Sequence, residues 1–379
     1  MKTHLSPKEK PSLNPHTKPI QDLEEALEAS GVKASPGEIE AMQRAHALYP
    51  LKVNRYFLGL AESRSLNDPI LLQALPNPGE LLESPFSSED PLGEESHTPV
   101  PHLIHRYPDR VVLLVTSRCA VRCRHCNRKR FWRKPEWVIT PGALEEVTGY
   151  LKRTPTVREV ILSGGDPLTL EPERLRAILE KLRTAPRVKV IRIGTRVPVT
   201  APWLVSERLM GALEGFQPIW INLQFNHPLE ITPESKDACD LLRRGGAVLG
   251  NQTVLLRGVN DSPKTIRELC YLLVEMGIRP YYLFQCDPVR GVEHLRTPVK
   301  RGIEIIQSMI GHASGLAVPT FAIDAPGGKG KVPLLPDYRV SFEKGGVRFL
   351  SYAGEVGWYP DQRGGDEPSP AVLPGHRGP

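Results

Sequence analysis

The chain has 379 residues, of which 40% are apolar and 24% charged, with a formal charge of +6. That is long and mixed enough to bury a large core, which excludes a wholly disordered chain and a small cross-linked scaffold. No apolar run reaches the roughly 18 residues that span a bilayer, and Met1 to Lys10 are lysine-rich with no apolar signal core, so a cytoplasmic protein is expected.

Residues 1–100 are rich in Pro, acid and Ser, with helical patterns near Ile20 to Ala29 and Pro36 to Ala47. Pro76 to Pro101 reads as a connector with little periodicity. From Val111 short β-branched runs alternate with amphipathic stretches: Val111 to Thr116, Val160 to Ser163, Val188 to Ile193, Ile219 to Phe225, Val248 to Leu256 and Tyr281 to Gln285. After the first interval they recur about every 30 residues, the spacing of βα units with right-handed crossovers. The predicted fold is therefore α/β, a partial (β/α)6 barrel over 101–315, preceded by an N-terminal helical appendage and linker (1–100). Residues 316–379 follow as a C-terminal extension: a helix near Val299 to His312 leads into a strand at Val318 to Ile323, a glycine-rich loop from Asp324 to Lys331 and a short β segment. The Pro/Gly-rich tail from Gly364 is expected to fray.

In parallel sheets ligands gather beyond the carboxyl ends of the strands. The segments there are polar or small: Ser117 to Cys126, Ser163-Gly164-Gly165-Asp166-Pro167, Gly194-Thr195-Arg196, Asn226-His227-Pro228 and Cys286-Asp287. Of six cysteines, Cys119, Cys123 and Cys126 crowd into one CxxxCxxC loop, which suits a metal or cluster site better than a disulfide framework. Three thiolates can hold three irons of a 4Fe-4S cluster and leave the fourth open to chelate a small molecule. A zinc site completed by His125 is the competing reading. Ser163 to Asp166 offers backbone N–H groups and a carboxylate to an amino-acid ammonium, although such a turn alone is commonly only a turn. Eight Lys or Arg side chains between Arg118 and Lys134 fit a loop serving an anionic cofactor, with nucleic-acid contact as the alternative. The loop Ala325 to Lys331 lacks P-loop spacing; a solvated basic turn and a Schiff-base lysine both remain open.

Longer motifs resolve these choices by resemblance. HRYPDR (105–110), CRHCNRKRF (123–131), LSGGDPL (162–168), RIGTR (192–196), FNHPLEIT (225–232), GNQTVLLRGVND (250–261), RPYYLFQCD (279–287), EHLRTPVKRGIEII (293–306) and DAPGGKGK (324–331) stand in one order. Together they resemble the lysine 2,3-aminomutase family of radical S-adenosylmethionine enzymes, from about Pro91 to Glu355. The resemblance implies a radical S-adenosylmethionine barrel whose Cys119, Cys123 and Cys126 bind a 4Fe-4S cluster. It implies S-adenosyl-L-methionine at Ser163, Gly164, Gly165, Asp166 and Gln252, and pyridoxal 5'-phosphate on Lys331, with Lys329 as the nearby rival. Arg106, Tyr107 and Arg110 resemble the residues that hold the cofactor phosphate.

For the substrate, the resemblance implies a carboxylate on Arg128 and a distal ammonium between Asp287 and Asp324. Two carboxylates facing one cation favour L-lysine over an acidic substrate, and the expected reaction moves its α-amino group to the β-carbon, giving β-lysine. A one-electron reductant such as a flavodoxin or ferredoxin, an amino-acid substrate, no membrane, no nucleic acid and a possible homo-oligomer complete the expectations. Aminomutases acting on arginine or glutamate, a radical enzyme modifying RNA or protein, and a noncatalytic metal scaffold are the alternatives. Two departures stand out: Ser262 replaces a cysteine that ligates structural zinc in some family members, and Gln224 stands where a close member has His.

Overall fold

A computed structural model of the chain describes residues 17–343 and 345–360. The tail read from Gly364 lies outside them. Strands β1 (Pro19–Ile20) and β2 (Val53–Asn54) pair within the N-terminal region, beside helices Leu23–Ser30 and Pro36–Leu48. Nine further strands form one sheet: β3 (Leu103–Tyr107), β4 (Arg110–Thr116), β5 (Glu159–Gly164), β6 (Val190–Thr195), β7 (Ile219–Leu223), β8 (Ala247–Leu255), β9 (Arg279–Gln285), β10 (Thr320–Ala325) and β11 (Gly330–Pro333). They lie in chain order, all parallel from β4 to β10 and antiparallel only at the two edges. The six expected strands are all present, and the segment near Val318 to Ile323 joins as a seventh parallel one. The sheet thus runs past residue 315.

Four crossover helices start the same way. Thr140, Glu171, Thr232 and Ser262 precede Pro141, Pro172, Pro233 and Pro263 at the first helical position, where a missing N–H costs nothing and φ is already set. Thr140, Thr232 and Ser262 also accept a backbone N–H three residues on. Ser262 is therefore a helix cap. The buried faces of these helices, such as Leu144, Val147, Ile178, Leu182 and Leu242, pack with Val111, Leu113, Val160, Leu162, Ile191 and Ile221 from one face of the sheet.

The opposite face is the barrel interior, and the barrel is open between β3 and β11. Side chains bridge that gap. Tyr107 Oη, from β3, accepts the backbone N–H of Lys331 in β11 at 2.8 Å, and Arg106 Nη2 lies 3.4 Å from Asp324 Oδ1 in β10. Beyond the barrel, β12 (Arg339–Glu343), β13 (Gly346–Leu350) and β14 (Val356–Pro360) form a separate antiparallel sheet with Val340, Phe342, Val356, Trp358 and Tyr359 exposed.

Candidate functional site

The cysteine loop follows β4 and is clamped by the N-terminal region. Main-chain bonds tie Arg122 N to Lys52 O and Arg124 N to Gln73 O, both at 2.8 Å. Arg124 donates to Glu80 through Nε and Nη2 at 2.9 and 2.5 Å, and Lys129 Nζ reaches the same carboxylate at 2.8 Å. All three side chains are buried. Burial opposes the charge of Glu80, but Arg124 and Lys129 overcome it and lower its pKa; Lys129 is itself depressed to about 8 by burial, against the pull of Glu80. The appendage, silent in the sequence, supplies the counter-charge for the loop.

Two more groups bear on the thiols. Arg196 Nη1 donates to Cys123 Sγ at 2.8 Å, while its Nη2 bonds Gln73 and Glu230 at 2.7 and 2.8 Å. The main-chain N–H of Arg128 points at Cys126 Sγ, 3.3 Å away. All six cysteines are free. Burial pushes the Cys119 and Cys126 thiols above their ordinary range, so a bare thiolate is disfavoured there and an electropositive ligand is what would ionise them. Buried cations beside three thiols fit an anionic iron–sulfur cluster. No three His, Cys, Asp or Glu side chains among the described residues converge as ligands of a single metal ion. His125, the proposed fourth zinc ligand, has the Nη-bearing Arg196 nearby and the amides of Gln224 and Asn226 at 2.9 and 3.4 Å from its Nε2.

The second loop presses against the first. Gly165 N donates to Thr116 O at 2.6 Å, and a Cβ on Gly164 or Gly165 would collide with Thr116 or Arg118 main chain. Glycine is required here by close approach. Asp166, expected to meet an ammonium, has its carboxylate engaged by Thr195 Oγ1 at 2.7 Å, Arg196 N at 2.6 Å and Leu168 N at 3.1 Å. It fixes the third loop against the second. Ser163 Oγ accepts from Arg128 at 3.1 Å, and Gln252 lies half-buried on the face of β8 opposite Leu249 and Leu255.

The lysine loop sits at the open seam. Gly327, Gly328 and Gly330 all have positive φ (71°, 78° and 97°), a path that side chains other than glycine resist. The turn folds β11 back so that Lys331 is the cross-strand partner of Asp324. Its Nζ lies 2.8 and 2.7 Å from the two carboxylate oxygens and 4.6 Å from the Phe284 ring. Lys329 is exposed. Arg106 and Arg110 flank the Tyr107 ring at 5.1 and 3.8 Å, placing two guanidiniums beside the lysine. Two cations and a lysine within one seam fit a phosphorylated aldehyde.

Asp287, two residues beyond β9, is half-buried, with Asn127 Nδ2 at 3.3 Å from its carboxylate. Burial first, and then the Asp324 charge, push it up from 3.8 to about 7, while Lys331 pulls the other way. Asp287 thus has no ion-pair partner among the described residues, whereas Asp324 beside it is held by Lys331 and Arg106. Arg128 is already held by Glu94, through Nε at 3.1 and 3.0 Å and Nη2 at 2.6 Å. Glu94 also takes Arg130 Nη2 at 2.6 Å. With Arg124 and Lys129 on Glu80, four of the eight basic residues of this run are paired inward, so they form no surface for nucleic acid. Glu80, Glu94 and Gln73 were not legible as site residues; Arg196 stood in the Gly194-Thr195-Arg196 segment and the RIGTR motif, but without an assigned role. A cavity of about 710 Å³ lined by Tyr56, Trp203, Glu234, Asp237 and Asp240 is lined by none of these site residues.

The sequence is similar to that of known proteins. Residues 113–270 match the radical SAM superfamily model, and residues 306–367 match the lysine-2,3-aminomutase model. The chain is 44% identical over 328 residues to an L-lysine 2,3-aminomutase of Acetoanaerobium sticklandii, covering 86% of this chain and 79% of that one. It is 46% identical over 309 residues to the L-lysine 2,3-aminomutase of Clostridium subterminale, covering 82% and 74%. A glutamate 2,3-aminomutase of Clostridioides difficile is 38% identical over 319 residues, covering 84% and 75%.

Proposed function

The chain belongs to the lysine 2,3-aminomutase family of radical S-adenosylmethionine enzymes, and from that premise we propose that it moves the α-amino group of L-lysine to the β-carbon, yielding β-lysine. It is an isomerase whose cofactors are a 4Fe-4S cluster, S-adenosyl-L-methionine and pyridoxal 5'-phosphate. The observation that carries the substrate reading is Asp287, which meets Asn127 but has no cation in ion-pair reach among the described residues, so that a cation brought there by the substrate would have a carboxylate to pair with. Lysine brings that cation at its far end. Glutamate would bring a third negative charge.

Cys119, Cys123 and Cys126 would hold the cluster, with Arg196 and the Arg128 N–H donating to the sulfurs. Ser163, Gly164, Gly165 and Gln252 would border S-adenosylmethionine, with Asp166 holding the turn. Arg106 and Arg110, set by Tyr107, would take the phosphate, since guanidinium groups suit bidentate anion contacts. Lys331 would carry the pyridoxal aldehyde; leaving Asp324 frees that carboxylate for the substrate ammonium. Arg128 would take the substrate carboxylate. When bound, the cluster and S-adenosylmethionine supply a radical that removes and returns hydrogen, and pyridoxal phosphate carries the migrating nitrogen. The protein positions these groups and excludes water.

An electron must reach the cluster from a one-electron reductant such as a flavodoxin or ferredoxin. Six free thiols suit a reducing, cytoplasmic setting. No helix of the described residues is long and apolar enough to cross a membrane. The exposed apolar residues of β12 to β14 fit a second copy of the chain.

The test is an anaerobic assay of the iron-reconstituted protein with pyridoxal phosphate, S-adenosylmethionine and a reductant. L-Lysine, L-arginine and L-glutamate are offered separately, and α and β amino acids are resolved by chromatography. β-Lysine that disappears in Cys126→Ala and Lys331→Ala is the expected result. A β-amino acid from glutamate or arginine but none from lysine overturns the substrate reading.

A further inference from the structure

The connector from Ser88 to Thr98 touches every element that the substrate reading uses. Ser88 pairs with the segment after Asp287, donating to Pro288 O and accepting from Arg290 N, both at 3.0 Å. Pro91 O accepts from Gly327 N, in the lysine loop, at 2.9 Å. A Cβ on Gly328 would strike the His97 ring, and His97 Nδ1 is 2.7 Å from Gly93 O. Between these anchors stands Glu94, whose own carbonyl is taken by Thr98 Oγ1 at 2.7 Å. A segment that reads as a linker is a strap across the mouth of the site.

The strap fixes one guanidinium. Glu94 accepts from the Nε and Nη2 atoms of Arg128, which is one edge of the planar fork. Nη1 donates to Ser163 Oγ at 3.1 Å and lies 3.4 Å from Gly164 O. Each Nη carries two hydrogens: one on Nη2 has no protein acceptor, while Nη1 faces Ser163 Oγ and, at the longer 3.4 Å, Gly164 O, so an anion meeting the Nη1–Nη2 edge displaces only that weaker contact. That edge suits a second carboxylate bidentately.

We propose that Glu94 is a positioning residue for the substrate carboxylate, holding Arg128 by its Nε–Nη2 edge so that the Nη1–Nη2 edge is the one presented. The proposal rests on the reading of Arg128 as the carboxylate partner. The rival arrangement makes Glu94 a stand-in that substrate displaces. Displacement would strip Glu94 from Arg130 as well as Arg128, although both ion pairs are largely buried. Breaking buried pairs on one side only is costly.

The test uses protein loaded with pyridoxal phosphate, without reductant or S-adenosylmethionine, so that binding is read apart from turnover. L-Lysine and 1,5-diaminopentane, which is lysine without its carboxylate, are titrated against the absorbance of the bound cofactor. Glu94→Gln is expected to weaken lysine by about tenfold or more and diaminopentane by less than about twofold. Glu94→Asp, which keeps the charge but shortens the reach, is expected to lose lysine selectively to a smaller degree, and serves if the Gln variant does not load. Lysine binding that tightens, stays equal or weakens in parallel with diaminopentane overturns the proposal. Arg128→Lys separates the two claims: if it leaves the lysine preference over diaminopentane intact, the Arg128 reading itself fails. If it removes that preference while Glu94→Gln does not, only the role of Glu94 fails.

Discussion

Behind the cysteine loop, Glu80 lies between Arg124 and Lys129 with side-chain exposures of 0, 0 and 2%. At the seam, Asp324 is shared by Arg106 and Lys331, and the lysine is 33% exposed. Both are one carboxylate with two cations, yet they sit in different surroundings. The first is enclosed by the N-terminal region and has no exchange partner in the proposed reaction. The second joins the edges of an open barrel, and each of its members has an expected partner elsewhere: phosphate for Arg106, aldehyde for Lys331, ammonium for Asp324. The comparison teaches that the same charge pattern is a fixed cradle when desolvated and a set of place-holders when open.

The largest effect should come from breaking the cradle. Glu80→Gln leaves two buried cations without their anion, and unfolding in urea should become easier by about 3–5 kcal/mol. A loss below that of an ordinary exposed pair would erase the distinction between the two regions. Next, Asp287→Asn should weaken lysine binding roughly tenfold or more through loss of a half-buried charge partner. It should not destabilise the protein at pH 8, because a carboxylate raised to about 7 by burial is unfavourable in its ionised form.

The pH dependence sharpens the same contrast. With a folded pKa of about 7 against 3.8, Asp287 binds more protons folded than unfolded between those values, so its contribution to stability falls as pH rises from about 4 to 7 and is level above. Lysine affinity should move the other way, rising by at most about tenfold per pH unit up to 7 and then levelling. Titrations of wild type and Asp287→Asn at several pH values check this, since the variant should lose the slope. The smallest effect is on stability at the seam: Asp324→Asn should change unfolding by no more than about 1 kcal/mol, as partly exposed pairs do. A larger loss would show that the seam is structural after all.

How much of this the sequence carries follows the same division. The strands and the CxxxCxxC loop are local patterns that spacing located, whereas the glycine loop was legible only as a turn and Lys331 was singled out by the family resemblance. The run of eight basic residues was readable as composition but not as direction, because only the fold decides that Arg124 and Lys129 turn inward to Glu80. Glu80 and Glu94 come from Pro-rich segments without periodicity, tens of residues before their partners. No local rule pairs them. Asp166 shows the reverse: the turn was legible, but its carboxylate meets Thr195 and Arg196 because β5 and β6 are neighbours. Gln224 acquires its meaning from His125, with which it shares a hydrogen bond at 2.9 Å.

The most direct test compares the binding of L-lysine and L-norleucine, which lacks only the distal ammonium, to the pyridoxal phosphate-loaded protein at pH 8. The acidic pair at the seam predicts that lysine binds at least about tenfold more tightly, and that Asp287→Asn removes most of the difference. Equal binding of the two amino acids by the unmodified protein would contradict the account.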